Sequence, residues 1–314
     1  MWCGCAAKVS WGPEMTTRTF RRPPSGLSLY TRAALSSAPV IGRLPGIRHD
    51  GVAPPDQVMR RDDIGVDAKH LDEYNRICGF GHPTELPTTY PHMFVFGLQM
   101  ALMTDSSFPF TPIGLVHLRN RITQARWLDP GERFSVSVHA ENLRPHPKGQ
   151  LIDLVSSVHS TDHTGREPVW DETMTLFSRQ RAGAGQEPES PPLAGIHAPD
   201  GVVHWHLARD LGRRYASVSG DRNPIHLHPW SAKAFGFSSN IAHGMWTKAR
   251  CLAALHNRLP AAFTVDVEFH KPILLPTTVV FGSERGGDDT VFGVKGARKH
   301  VTHLVGRIRP GSAA

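Results

Sequence analysis

The residues best suited to chemistry lie in one short segment of the second half of the chain. Asp221 and His226 stand five residues apart in the sequence Ser-Gly-Asp-Arg-Asn-Pro-Ile-His. Gly, Asn and Pro are typical of a tight turn, and a turn would bring the carboxylate and the imidazole together. Histidine titrates close to neutral pH, so such a pair can accept and return protons there. We expect an acid/base pair at the mouth of a pocket.

The pattern around this pair is longer than a turn requires. Its defining positions are Tyr215, Gly220, Asp221, Asn223, Pro224, Ile225, His226 and Ala232. This arrangement resembles the signature of the MaoC-like family, the hydratase 2 enzymes. An ordinary turn would also contain Ser-Gly-Asp-x-Asn-Pro, but the length of the match, with His243-Gly244 downstream, favours catalysis.

The resemblance implies a function and a fold. Members of this family reversibly hydrate trans-2-enoyl thioesters to (3R)-3-hydroxyacyl thioesters in fatty-acid metabolism, on a hot-dog fold. We expect Asp221 and His226 to be the catalytic pair, with His226 handling the C2 proton and Asp221 the water. Asn223 is expected to orient the water or the loop.

Further candidates surround the substrate thioester. Gly244 is predicted to begin a helix, whose first N–H groups could hold the developing oxyanion; its alternative role is to allow tight helix packing. Weaker candidates for substrate binding are His243, Met245, Lys271 and Phe80. A histidine before a helix is often a cap, and an exposed lysine is often only solvated.

The chain contains an internal repeat, which is the first thing to seek in a sequence. A shift of 141 residues aligns Tyr74 to Pro83 with Tyr215 to Pro224. The first copy has Phe80 in place of Asp221 and Glu85 in place of His226. Phe96-Gly97-Leu98 then falls opposite His243-Gly244-Met245, and both segments are predicted to begin helices. One active site per chain is expected.

The predicted architecture is an α+β double hot-dog, that is two tandem antiparallel sheets each wrapped around a central helix. The resemblance is to the long actinobacterial double hot-dog (3R)-hydroxyacyl-thioester dehydratases, through residues 140–144 and 271–276. The expected divisions are an N-terminal arm, partly disordered, over 1–62, a degenerate hot-dog domain over 63–180, a linker over 181–199 and a catalytic domain over 200–314.

Hydrophobic periodicity predicts the elements of both copies. Gly97–Met103 is apolar on nearly every side and should be buried, whereas Gly244–Leu259 should be an amphipathic helix with Lys248, Arg250 and Arg258 interspersed among its apolar residues. Polar helices are expected over 68–78 and 208–219, each ending at the repeated glycine. The predicted strands are 64–67, 115–122, 133–140, 151–160, 172–177, 202–207, 265–269, 277–283, 291–296 and 302–308.

Composition limits the possible partners. The 314 residues carry a net charge of +7 with 39% hydrophobic residues, and no run of 18 apolar residues is present. We expect a cytoplasmic protein that binds an acyl-CoA or acyl-carrier-protein thioester, whose phosphates suit the positive charge. We expect no nucleic acid and no membrane partner, and either a monomer, as a pseudo-dimer, or a homodimer.

Cysteine spacing and the N-terminal arm add little chemistry. The four cysteines form no C-x-x-C pair, so no disulfide framework, metal or cofactor is expected. The basic segment between Met15 and His49 resembles a transit peptide, but a short helix over 27–38 packed on the fold is the preferred interpretation. Either Met1 or Met15 is the start of translation.

Two other functions remain open from the sequence. A hot-dog acyl-thioesterase would share the fold and the helix-start oxyanion donor but would not need the complete signature. A non-catalytic acyl-thioester binding protein is compatible with a first copy that lacks the acid/base pair. A nucleic-acid binder based on charge alone is the weakest alternative.

Overall fold

The computed structural model describes residues 15–37, 49, 51–81, 83–162, 167–179 and 190–311. Its strands are β1 (Thr16–Thr19), β2 (Gln57–Ile64), β3 (Val116–Gln124), β4 (Phe134–His146), β5 (Gly149–Ser160), β6 (Trp170–Arg179), β7 (Val203–Leu207), β8 (Phe263–Phe269), β9 (Thr277–Gly286), β10 (Asp289–Gly296) and β11 (Thr302–Pro310). Its α-helices are α1 (Gly26–Ser37), α2 (Ala68–Cys78), α3 (His92–Met103), α4 (Leu211–Ser219), α5 (Pro224–Leu227), α6 (Pro229–Lys233) and α7 (Gly244–Leu255).

All described strands form one sheet in the order β1-β2-β4-β5-β6-β3-β8-β11-β10-β9-β7. Apart from β1, the first five strands run β2-β4-β5-β6-β3, and the last five repeat the same order in reverse. The two halves meet where β3 pairs antiparallel with β8, from Arg119 opposite Glu268 to Gln124 opposite Phe263. The predicted double hot-dog is therefore a continuous sheet with an internal pseudo-twofold axis between β3 and β8.

The central helices α3 and α7 are largely buried, as the core of each half. Nine of the twelve residues of α3 are buried, as its uniformly apolar sequence predicted. The helix α7 begins at Gly244 as predicted, but Lys248 is fully buried and the helix ends before the predicted Leu259, at Leu255, followed by a 3-10 turn over His256–Arg258. The ammonium group lies inside because Asn120 and the Val265 carbonyl accept its hydrogen bonds.

The two polar helices end at the repeated glycine, as predicted. Gly79 after α2 and Gly220 after α4 both adopt a left-handed backbone, with φ of 80° and 73°. Their N–H groups donate to the carbonyls of Asn75 and Ala216, which is the common way to end a helix. The residues after Gly220 therefore form a turn at the end of α4.

Two boundary predictions and one structural correspondence were wrong. The helix containing Gly97 begins at His92, after Pro91, so Phe96-Gly97 lies inside α3 and does not correspond structurally to the start of α7. Pro24 packs beside Gly97, with its Cδ 3.4 Å from where a Cβ would stand, which is an ordinary contact distance. The predicted strand at 64–67 is instead β2, which ends at Ile64 and pairs with β4.

The segment before β2 is joined to the sheet. β1 pairs in parallel with β2, and α1 spans nearly the range predicted for a helix, with Leu29 and Ala33 buried. Residues 1–14, which include Cys3 and Cys5, and the first nine residues of the predicted linker, 181–189, lie outside the described residues. Within the described residues, no helix is long and apolar enough to cross a membrane.

Candidate active site

The turn after α4 holds the Asp221 carboxylate in a fixed orientation. Oδ1 accepts the backbone N–H of Asn223 at 3.1 Å. Asn223 in turn caps the short helix α5, since its Oδ1 accepts the N–H of Ile225. The asparagine thus orders the loop, which is one of the two roles expected for it. Because α5 carries His226, the same turn fixes the positions of the carboxylate and the imidazole.

His226 is buried, and one hydrogen bond determines which of its nitrogens carries the proton. Nδ1 lies 2.9 Å from the carbonyl oxygen of Ile241. A carbonyl can only accept, so Nδ1 donates and the neutral ring keeps Nε2 as an acceptor. Burial lowers the pKa of His226 below its ordinary value, and Asp221 and the Ile241 carbonyl offset this only in part. His226 is therefore a neutral imidazole at neutral pH.

His243 lies closer to the pair than the sequence suggested. Its ring stacks on that of His226 with centroids 3.7 Å apart, and its Nε2 lies 3.1 Å from the backbone carbonyl of Asp221 and 3.8 Å from Oδ2. Burial and the neighbouring His226 lower the pKa of His243 to about 3. His243 is therefore neutral, with Nε2–H as the donor to the Asp221 carbonyl.

Asp221 is ionised at neutral pH. Burial alone would raise the pKa of its carboxyl, but His243, His226, the Asn223 N–H and the Tyr30 hydroxyl together lower it below its ordinary value. The side chain retains 27% of its exposure. A charged carboxylate that is only partly exposed, beside two neutral imidazoles, can orient water and stabilise an imidazolium formed next to it.

Asp221 and His226 open into a cavity of about 410 Å³. The predicted site residues that line it are Asp221, Asn223, His226, His243, Gly244, Met245 and Lys271. The first half of the chain supplies much of the remaining wall, through Tyr30, His92, Phe96, Met100, Met174 and Leu176 among others. A mostly apolar cavity with a few convergent polar groups is typical of a small-molecule site.

Gly244 is the first residue of α7. Its N–H therefore has no partner within the helix and lies at the end of α7 that borders the cavity. A Cβ at this position would stand 3.0 Å from the ring of Phe269, which also lines the cavity. Both roles expected for Gly244 are therefore compatible with the geometry: close packing at this point, and a backbone donor at the positive end of a helix.

Phe80 does not belong to this site. It is buried between the rings of Tyr74 and His256 and is absent from the cavity wall, so its prediction as a substrate contact was wrong. Glu85, the counterpart of His226, pairs with His256 at 3.1 Å. A phenylalanine just after a helix can lie in the hydrophobic core or in the wall of a pocket, and the sequence did not distinguish these two positions.

Tyr30 is a site residue that the sequence did not reveal. Its hydroxyl donates to Asp221 Oδ1 at 2.9 Å, across 191 residues of sequence. The surrounding sequence, Leu-Ser-Leu-Tyr-Thr-Arg, contains no motif that would have suggested this. A weak signal for His243 was present in the sequence, because this residue immediately precedes the helix that begins with Gly244.

The three side chains could also be considered as metal ligands, because Asp221, His226 and His243 offer atoms within 4.8 Å of one another. The two imidazoles are nearly parallel, at 23°, so their in-plane lone pairs do not converge on one point, as tetrahedral zinc requires. One nitrogen of each ring is also engaged by a backbone carbonyl. The arrangement suits proton transfer better than metal binding.

Comparison with known proteins finds relatives over most of the chain. Residues 197–306 match the model of the MaoC like domain. The chain is 34% identical over 286 residues to 3-hydroxyacyl-thioester dehydratase X of Mycobacterium tuberculosis, covering 91% of this chain and 98% of that protein. It is 30% identical over 141 residues to the peroxisomal multifunctional enzyme type 2 of Drosophila melanogaster, covering 40% of this chain and 23% of that protein.

Solved structures share the fold. The crystal structure of HtdX from Mycobacterium tuberculosis superposes with a TM-score of 0.71 at 32% identity, over 81% of this chain and all of that one. A second mycobacterial protein, described as having a double hotdog fold, matches with a TM-score of 0.50 at 11% identity, over 79% and 94% of the two chains, and so bears on the fold alone. With the near full-length relative, these matches establish that the chain belongs to the family of MaoC-like dehydratases, which are hydro-lyases.

Proposed function

We propose that the protein reversibly interconverts (3R)-3-hydroxyacyl and trans-2-enoyl thioesters in fatty-acid metabolism, with Asp221 and His226 as the acid/base pair. The observation that carries this proposal is the hydrogen bond from His226 Nδ1 to the Ile241 carbonyl. It leaves Nε2 as a free acceptor beside an ionised carboxylate, in a cavity also lined by the start of α7. An elimination of water across C2 and C3 needs these three components.

The dehydration can be written with one base. Nε2 of His226 takes the proton from C2, and the electron pair of the C2–H bond forms an enolate with the thioester carbonyl. The enolate then expels the C3 hydroxyl, which takes the proton back from the imidazolium and leaves as water. His226 is neutral again at the end, so atoms and charge balance. Hydration is the same sequence in reverse.

Asp221 acts on water and on charge in this scheme. Its ionised carboxylate accepts a hydrogen bond from the departing or arriving water, and it stabilises the imidazolium that forms on His226 for part of the cycle. It need not exchange a proton itself. This division agrees with the expectation that His226 handles the C2 proton and Asp221 the water.

The enolate oxygen needs a donor, and we assign it to the backbone N–H of Gly244. The first N–H groups of a helix are unpaired within the helix and lie at its positive end. One such oxyanion donor contributes roughly 10²- to 10³-fold to the rate. Gly244 also avoids the methyl group that would otherwise press on Phe269.

The cavity supports an acyl substrate and a phosphate-bearing carrier. Apolar side chains of the first half, including Phe96, Met100 and Met174, line the space beside the acid/base pair and suit medium or long acyl chains. Lys271 at the same cavity could contact a phosphate, since it is exposed. Both coenzyme A and acyl carrier protein present their thioester on a phosphopantetheine arm, and the proposal includes both.

The proposal is tested by following the enoyl-thioester absorbance band with crotonyl- and dodecenoyl-coenzyme A. His226→Ala should slow hydration by about 10²- to 10⁴-fold, the usual contribution of positioned proton transfer, and Asp221→Asn should slow it as well, because the water and the imidazolium lose their carboxylate. Phe80→Leu is the matched control, because this aromatic side chain lies outside the cavity wall. Chiral analysis of the product should give the (3R) alcohol.

The outcomes separate the alternatives. Release of free thiol without hydration would identify a thioesterase, and tight binding without turnover would identify a binding protein. If wild-type protein is inactive on both coenzyme A substrates, the same assay with enoyl-acyl carrier protein decides whether the carrier was the wrong one. Variants that retain wild-type rates would exclude Asp221 and His226 as the pair.

A further inference from the structure

The N-terminal segment reaches the acid/base pair through one tyrosine. Tyr30, on α1, donates its hydroxyl hydrogen to Asp221 Oδ1 at 2.9 Å and accepts the backbone N–H of Arg222 at 2.7 Å. The phenol is therefore used as both donor and acceptor by the turn that carries the carboxylate. Tyr30 also lines the cavity, as does Ala33 one turn further along α1.

Several contacts fix α1 in this position. Leu29 and Ala33 are buried, and Pro24 packs against α3 at Gly97. Before α1, the strand β1 pairs with β2, and the N–H of Phe20 donates to the Arg60 carbonyl at 2.8 Å. The segment is thus attached to the fold on both sides of the turn leading into α1. These packing contacts hold α1 where the Tyr30 hydroxyl reaches Asp221.

We propose that Tyr30 is a positioning residue for the proposed hydration, and that residues 15–37 complete the active site of the second half. The hydroxyl holds Oδ1 of Asp221, together with the Asn223 N–H, so that Oδ2 is left toward the histidines and the water. The proposal rests on the proposed function, in which Asp221 acts as a carboxylate. It assigns to the N-terminal segment a role in the reaction, besides its packing.

The electrostatic setting is consistent with a permanent donor. Burial, followed by the negative charge of Asp221, raises the pKa of the Tyr30 phenol well above its ordinary value. The hydroxyl therefore keeps its proton over the whole working range of pH. A hydrogen bond to a charged group contributes more than one between neutral groups, and it favours the ionised form of the carboxyl.

The test is Tyr30→Phe in the full chain, which removes only the hydroxyl. We expect kcat for enoyl-thioester hydration to fall by about 10- to 100-fold, with KM little changed. The lower step of the acid limb, which follows the Asp221 carboxyl, should move to higher pH because the variant carboxyl is protonated more readily, whereas the step that follows His226 should stay in place. The matched control is Tyr90→Phe, since the Tyr90 hydroxyl contacts His70 and lies outside the cavity wall.

The position of the acid limb distinguishes positioning from folding. A variant that merely folds less well would lose rate at every pH without moving the limb, so a uniform loss would overturn the proposal. Unchanged kcat and an unchanged profile would overturn it as well. Thermal melting of both tyrosine variants shows in which temperature range they are folded, and the rates are compared there.

A second readout does not depend on activity. The carboxyl ¹³C resonance of Asp221, assigned by its loss in Asp221→Asn, should titrate at higher pH in Tyr30→Phe than in wild-type protein. If wild-type protein hydrates no enoyl thioester, the proposed function fails, whereas this titration still decides whether Tyr30 governs the carboxylate. An identical titration in both proteins would overturn the proposal.

Discussion

At the scale of single residues, the two stacked histidines differ in what their free nitrogens can do. The Nδ1–H of His226 donates to the Ile241 carbonyl, which leaves Nε2 as an acceptor for proton transfer. His243 uses Nε2 for the Asp221 carbonyl, and its buried Nδ1 has no hydrogen-bond partner among the described residues. We infer that His243 supports the loop and the carboxylate, while His226 moves the proton.

The pH dependence of the reaction follows from the neutral state of His226. Its lowered pKa keeps Nε2 free at pH values where an ordinary histidine, with a pKa of about 6.5, would be protonated. Activity should be lost as the pH falls through the lowered value, so the acid limb of kcat/KM should lie below about pH 6.5. A profile recorded over roughly pH 4 to 9 tests this, and a limb at or above the ordinary histidine value would contradict it.

The substitution Gly244→Ala tests the close packing at the start of α7. The new Cβ would meet the Phe269 ring at 3.0 to 3.2 Å, so either the ring or the helix start must shift by a few tenths of an ångström. Because both line the cavity, we expect hydration to slow by roughly tenfold or more, as small misplacements commonly do. Steady-state kinetics measures it.

Gly286→Ala is the control for that substitution, since a Cβ there would meet no atom within 4 Å. It should retain the wild-type rate. Equal rates for the two alanine variants would show that the space beside Gly244 is not limiting.

At the scale of elements, α7 is joined to the first half by a buried polar network. Lys248 donates to the side-chain oxygen of Asn120 at 2.6 Å, and Asn120 donates to Glu172 at 2.9 Å. His92 and Gln99 of α3 also contact Glu172. The network thus connects both central helices with β3 and β6, in the interior where unpaired charges are costly.

Removing the ammonium group should therefore destabilise the fold. In Lys248→Met the Glu172 carboxylate loses a nearby positive charge, and Asn120 and Val265 lose their donor. The free energy of unfolding should fall by about 2 kcal/mol, the cost of leaving buried acceptors without their donor. The shift of the denaturant midpoint measures it.

The control for the lysine substitution is Lys295→Met, which removes an ion pair with the exposed Asp200. Surface pairs contribute about 1 kcal/mol or less, so this variant should unfold close to wild type. A Lys248→Met protein as stable as Lys295→Met would show that the buried charges are not coupled.

The same elements show what the sequence could and could not predict. Local signals were sufficient for the helix ends at Gly79 and Gly220, because the left-handed cap is decided by one residue and its neighbours. Lys248 was misplaced because its burial depends on Asn120, 128 residues away. Tyr30 was missed for the same reason, since a hydrogen bond between distant segments leaves no periodic pattern.

At the scale of the whole molecule, neither half has a complete site. Asp221 and His226, the proposed acid/base pair, lie in the second half, but Phe96, Met100 and Tyr30 of the first line the same cavity. Antiparallel pairing of β3 with β8 and the hydrogen bond from Trp246 to the Ile77 carbonyl at 3.0 Å join the halves. The first copy of the repeat lacks the counterparts of Asp221 and His226, but its side chains form part of the cavity wall beside the second copy.

Cutting the chain between the halves tests this dependence. A protease site inserted between residues 181 and 189 and then cleaved should leave two fragments that elute together and still hydrate the enoyl thioester, because the β3–β8 pairing and the core contacts are unbroken. The fragment from residue 200 onward, expressed alone, should be inactive and prone to associate, since β8 would expose an unpaired edge and the cavity would lack a wall. Gel filtration and the absorbance assay measure both. An active, monodisperse second-half fragment would show that the first half is not needed for the site.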